Sequence, residues 1–245
     1  MNTRHVLSLL FISFLISFCA DEPQQQVKEV ESEPEWISLF DGESFEGWKE
    51  YNSDTINPKW QIEDGTIIIS KDGDDVTKNT GFGKSIITEQ QFGNFVLELE
   101  YRMSRGGNSG IMYHVVEDPK YNNDFETAPE YQLLDDVNSA SEYLPHRLTA
   151  ANYDMFAPDT SLKQLNPPGE WNKVRLVYDN GRVEHWLNDI KVLEFTEGSP
   201  QWQQAYIKSK FSKHFPDWGK SNTGHISLQD HGDYVAFKNI RIREL

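Results

Sequence analysis

The sequence predicts an all-β domain, a two-sheet antiparallel β-sandwich with one short helical insertion. Three observations carry that reading. From Trp36 onward most of the chain alternates apolar and polar residues with period two, the spacing of a strand with one face buried. Asp64-Gly65 and Asp179-Asn180-Gly181 mark tight hairpins, because glycine and asparagine accept positive φ. The strand candidates are short and regularly interrupted by turn residues, as in sandwiches.

At the N-terminus, Arg4 precedes the apolar run Val6 to Phe18, 13 residues long, and Cys19 follows at once. A spanning helix needs roughly 20 apolar residues, so the run reads as the core of a secretory leader. Cys19 is the chain's single cysteine, which rules out an internal disulfide. Ile16-Ser17-Phe18-Cys19 resembles a bacterial lipobox, with Phe18 in place of the usual small residue. That resemblance implies a lipoprotein signal peptide over 1–18 and lipidation of Cys19. It also implies a cell-envelope location, with the lipid anchor as the membrane contact. Residues 19–35 are an acidic tether: Asp21 to Glu35 holds six acids, one lysine and too little apolar surface to fold. The formal charge of −16 becomes −17 once Arg4 leaves with the leader, which disfavours nucleic acid and anionic lipid as partners.

Residues 36–245 are long enough for one domain with a substantial core. In order, "WQIEDGTIIIS" is a hairpin turning at Asp64-Gly65. "FVLELEYRM" puts Phe95, Leu97, Leu99, Tyr101 and Met103 on one face and Glu98, Glu100 and Arg102 on the other. "VRLVYDNGRVEHWLNDIKVLEF" contains a second hairpin. Ser199-Pro200 is an N-cap followed by proline at the first helical position, and Trp202, Tyr206, Ile207, Phe211 and Phe215 follow at near-helical spacing. In "GHISLQDHGDYVAFKNIRIREL", Ile226 and Leu228 alternate with polar neighbours until Gln229-Asp230-His231-Gly232 interrupts the strand.

No glycine-rich phosphate loop and no paired Cys/His pattern is present, so nucleotide-binding and structural-zinc readings fall away. No cofactor is required by the sequence, and a divalent cation held by carboxylates and His231 remains open. Aromatic residues make up 13% of the chain, a composition common to carbohydrate binders and to sandwich cores. Glu130, Gln132 and Asp135 in "PEYQLLDD" have the E-x-D-x-x-E spacing of laminarinase-type glucanases, but Gln132 supplies an amide where that motif has a carboxylate.

Five stretches in order, "LFDGESFEGW", "FVLELEYRMSRGGNSGIMY", "PEYQLLDD", "GEWNKVRLVYDNGRVEHWLND" and "GHISLQDHGDYVAFKNIRI", resemble the landmarks of the 3-keto-disaccharide hydrolase domain family. Asp189 stands where that family commonly has glycine. The resemblance implies a concanavalin A-like jelly roll and an enzyme that cleaves 3-keto-glycosides. In such a substrate the C3 carbonyl acidifies the C2 hydrogen and the C1 oxygen lies β to it, so elimination and rehydration break the glycosidic bond. On that basis either Glu130 or His231 is the expected base and the other the acid, with Asp230 orienting His231. Arg102, Asn108, Ser109, Gln132, Asp135, His185 and Gln229 are expected substrate contacts, and His146, Tyr153 and Asp154 one wall of the cleft. A non-catalytic carbohydrate-binding module and a conventional endo-glycosidase are the competing readings.

Overall fold

Both expected hairpins form, and each turn has the geometry its residues favour. Asp64 and Gly65 adopt φ of 48° and 71°, and Asn180 and Gly181 adopt 49° and 84°, the paired positive values of a type I′ turn. The computed structural model describes residues 34–69, 83–139 and 144–245. The expected signal peptide 1–18, Cys19 and nearly all of the tether lie outside the described residues. Pro34 to Leu245 form one compact unit.

The strands are β1 (Ile37–Ser38), β2 (Trp48–Glu50), β3 (Trp60–Glu63), β4 (Thr66–Ile69), β5 (Ile86–Thr88), β6 (Phe95–Met103) and β7 (Asn108–Val115). They continue as β8 (Glu130–Leu134), β9 (Asn172–Asp179), β10 (Arg182–Leu187), β11 (Ile190–Thr196), β12 (His225–Leu228) and β13 (Val235–Glu244). Among the described residues, one sheet runs β11-β10-β9-β6-β13-β4-β3, with β1 also paired to β13. The second runs β2-β5-β12-β7-β8, and all pairs are antiparallel. The core lies between them. Leu97, Leu99 and Tyr101 of β6 meet Ile111 and Tyr113 of β7, Tyr131 and Leu133 of β8, and Ile226 and Leu228 of β12. Each fully buried aliphatic side chain contributes roughly 1.5–3 kcal/mol.

The helical insertion is two pieces rather than one, α1 (Pro200–Lys208) and α2 (Phe211–His214). Ser199 caps α1 as expected, its hydroxyl accepting the Trp202 N–H at 3.1 Å. Ser209 breaks the helix: its backbone is extended at ψ 165°, and its hydroxyl accepts the Phe211 N–H at 3.2 Å. The break lets Phe211 stack on Trp218, with ring centroids 4.2 Å apart. It also frees the Lys210 N–H to donate to Asp154 Oδ2 at 2.8 Å, which ties the insertion to the 150–156 loop.

Candidate active site

Period-two alternation in β7, β8 and β12 sends Ile111, Tyr131 and Leu228 into the core. Glu130, Gln132, Gly110 and Ser227 therefore stand on the other face of the five-stranded sheet. Residues 149–153 cover the outer edge of β8 through bonds from Gln132 N to Ala151 O at 3.1 Å and from Tyr153 N to Glu130 O at 3.0 Å. That bridging brings Tyr153, and with it Lys210, beside Glu130.

Glu130 is only 6% exposed. A Cβ on Gly110 would lie 2.1 Å from Glu130 Oε1, so the carboxyl occupies the space that the missing side chain leaves. Burial drives the Glu130 pKa up to about 8, against the pull of the Lys210 cation and with a push from Asp124. Glu130 is therefore mostly protonated at neutral pH. Lys210 Nζ lies 4.4 Å from the Tyr153 ring centroid, and burial lowers its proton affinity. Its charge acts on both Glu130 and His231.

A chain of amides runs from Gln132 to the imidazole. Gln132 Nε2 donates to Asn108 Oδ1 at 2.8 Å, which turns Asn108 Nδ2 toward His231 Nε2 at 3.2 Å. A donor aimed at Nε2 selects the tautomer with that nitrogen unprotonated. Burial also lowers the His231 pKa, so the ring is a neutral base. Gln229 presents a buried Oε1 without a protein partner among the described residues, next to a cavity of about 220 Å³ lined by Tyr51, Ser85, Asp124, Gln229 and Asp230. Such an acceptor suits a substrate hydroxyl.

The structure thus brings together Glu130, Asn108, Gln132, Gln229 and His231, with Tyr153 as a wall. Asp230 borders the same cavity as Gln229, and its charge raises the proton affinity of His231. Its own carboxylate accepts the Gly232 N–H at 2.8 Å and fills the space beside Gly83, while Asn108 bonds the His231 ring. The structure places the other expected residues elsewhere. Ser109 faces the core side, its hydroxyl donating to the Gln229 carbonyl at 2.9 Å, and so pins the loop rather than meeting ligand. Asp135 follows the end of β8 and caps a turn, accepting from Gly106, Val137 and Asn138. Those bonds hold its carboxyl below the usual range, and it does not rejoin the face of Glu130. Arg102 is on the outer face of the other sheet, 4.8 Å from the Trp171 ring centroid. His185 is 0% exposed between the sheets, where its Nδ1 bonds Ala150 O at 2.9 Å and burial lowers its pKa to about 4. His146 and Asp154 pair near the wall, Asp154 also binding Arg147, and they serve its architecture.

Two residues went unseen in the sequence. Lys210 stands in the helical insertion among several lysines, with no motif to single it out. Asp124 sat in a polar loop without a motif; buried and pushed upward in pKa, it accepts the Ser227 hydroxyl and the Phe125 N–H at 2.9 Å. Among the described residues, no group of three or more His, Cys, Asp or Glu is arranged to hold a metal ion.

Comparison with known proteins agrees with this fold. The chain is 38% identical over 232 residues to a 3-keto-disaccharide hydrolase of Bacteroides thetaiotaomicron, covering 86% of this chain and 78% of that protein. An inferred glycosyl hydrolase from Parabacteroides distasonis has a crystal structure with a TM-score of 0.77 at 41% identity, covering 86% of this chain and 94% of that one. A second inferred glycosyl hydrolase from the same organism gives 0.62 at 26% identity, covering 86% and 100%. The family model for the 3-keto-alpha-glucoside-1,2-lyase-like domain matches residues 35–243, and the chain belongs to that family.

Proposed function

We propose that this chain cleaves the glycosidic bond of 3-keto-glycosides by elimination followed by rehydration. Family membership and the hydrolase relatives support the coarser statement, a glycoside-cleaving enzyme acting on a carbohydrate. The observation that carries the finer one is an asymmetry. One sheet face holds a carboxyl that keeps its proton and an imidazole that lacks one, in place of two ionised carboxylates.

In this mechanism substrate displaces the Asn108 Nδ2 bond from His231 Nε2, the freed Nε2 takes the C2 proton, and the electron pair passes into the C3 carbonyl as an enolate. Lys210 supplies positive charge to the enolate oxygen. The enolate collapses, expelling the C1 oxygen, which takes the proton of Glu130 and leaves a 1,2-ene-3-one. Water then adds at C1, returning a proton to Glu130, and protonated His231 delivers its proton to C2. Both groups end as they began, and the net reaction is hydrolysis.

The test supplies a 3-keto-disaccharide and its unoxidised parent and follows sugar release. Cleavage of the oxidised sugar alone supports the reading. Cleavage of the parent alone would point to a conventional glycosidase, and binding without turnover to a carbohydrate-binding module. We further propose a lipid-anchored envelope location, supported by the apolar run ending at Cys19. Retention of Cys19→Ala in the membrane fraction would overturn it.

A further inference from the structure

A row of side chains crosses the solvent face of the larger sheet, on a different sheet from Glu130. Strand register sets Trp186 opposite Arg175, Arg175 opposite Glu98, Glu98 opposite Arg241, and Arg241 opposite Ser38. The row therefore spans β10, β9, β6, β13 and β1, about 19 Å at about 4.8 Å per strand step. Trp36, two residues before Ser38, closes the far end, with the Arg241 guanidinium 4.4 Å from its ring centroid. Trp36, Trp186 and the residues between them line a groove of about 690 Å³.

We infer that this groove binds a neutral glycan independently of the candidate site around Glu130. Indole faces at both ends match the C–H faces of sugar rings. Between them the polar groups are already fixed. Glu98 accepts from Arg175 Nε at 2.7 Å and Arg241 Nε at 3.0 Å, and Trp186 Nε1 donates to Glu184 at 2.8 Å. Groups held this way hydrogen-bond hydroxyls at little ordering cost. The cations are also committed: both guanidinium groups share Glu98, and Lys173 Nζ lies 3.1 Å from Asp189. Asp41 and Glu100 also line the groove, so its four carboxylates outnumber Lys173, Arg175 and Arg241. No surplus positive charge favours an anionic polymer, and a floor of charged groups does not suit an apolar protein surface.

Affinity gel electrophoresis of the mature protein in gels containing dextran, laminarin or xyloglucan, with polygalacturonate as the anionic control, tests this. At least one neutral glycan retards the wild type and Glu130→Gln equally. Trp186→Ala and Trp36→Ala each weaken that retardation about tenfold, the scale of a binding hot spot. Both Trp variants retain turnover of a small 3-keto-disaccharide. Trp36 precedes β1, so Trp36→Ala remains informative if Trp186→Ala fails to fold. Mobility reports binding whether or not the chain has the proposed activity. The inference is overturned by the absence of retardation in every neutral gel, by retardation in polygalacturonate alone, by retardation that both Trp variants preserve, or by its loss in Glu130→Gln.

Discussion

Replacing Glu130 by Gln separates the protonation of this side chain from its shape. In the fold its pKa is about 8, against an ordinary 4.5, because burial penalises the charge more than Lys210 relieves it. The sign follows from linkage: the raised value means the folded state holds a proton that the unfolded chain has lost. The stability this group contributes is fully present below pH 4.5, falls as pH rises through the window up to about 8, and is constant above it. At about 1.4 kcal/mol per tenfold change, the whole window corresponds to at most about 5 kcal/mol, and relaxation around a buried group brings a realistic figure to about 2–3 kcal/mol. Glu130→Gln keeps the size and removes the titration. Urea unfolding at pH 5, 6.5 and 8 should therefore show the variant gaining about 2–3 kcal/mol on the wild type between the ends of the series. The raised pKa values of Glu197 and Asp230 act on both proteins and cancel in the difference, and Asp124 cancels except for its coupling to Glu130, the smallest of the causes acting on that carboxyl. Turnover should fall about 10²–10⁴-fold, the usual worth of a general acid. Parallel stability curves for the two proteins would refute the claim that Glu130 stays protonated at neutral pH.

Gly110→Ala puts a Cβ where Glu130 Oε1 lies, so the expected cost is about 1–3 kcal/mol of stability and a larger loss of kcat, read by urea unfolding and initial rates. Asn108→Asp places a carboxylate against His231 Nε2, raises the imidazole pKa, and should move the acid limb of the kcat/KM profile to higher pH. Asp189 holds φ at 65° in a tight turn, so Asp189→Gly should stabilise the fold by about 0.5–1 kcal/mol by thermal or urea unfolding, with unchanged kcat. The exposed contact to Lys173 lost in that change is worth little.

Much of this protein is written in short-range patterns. Alternation along Phe95–Met103 and the turns at Asp64-Gly65 and Asn180-Gly181 depend on neighbours two residues away, so the sandwich and its hairpins were legible from the sequence. His185, expected as a substrate contact, carried a signal that was passed over: Val183, His185 and Leu187 alternate, which puts the imidazole on the apolar face. The resemblance to a 3-keto-disaccharide hydrolase likewise rested on motifs that can be read in order.

What the sequence alone did not determine is which face of which sheet a residue joins. Arg102 and Glu130 both sit at outward positions of their strands, yet they stand on different sheets, because pairing with β13 or β7 is settled by contacts far along the chain. Asp135 leaves the row of Glu130 because the strand ends at Leu134 and the backbone N–H groups of a turn claim its carboxyl. Lys210 reaches the site because Ser209 breaks the helix and Asp154 captures the next N–H, a contact across 56 residues. Likewise Trp186 and Trp36, 150 positions apart in sequence, bound one groove because strand register lines up the side chains between them. Local preference determined the elements. The proton affinities of Glu130 and His231 were decided by burial and by neighbours that only the packed sandwich supplies.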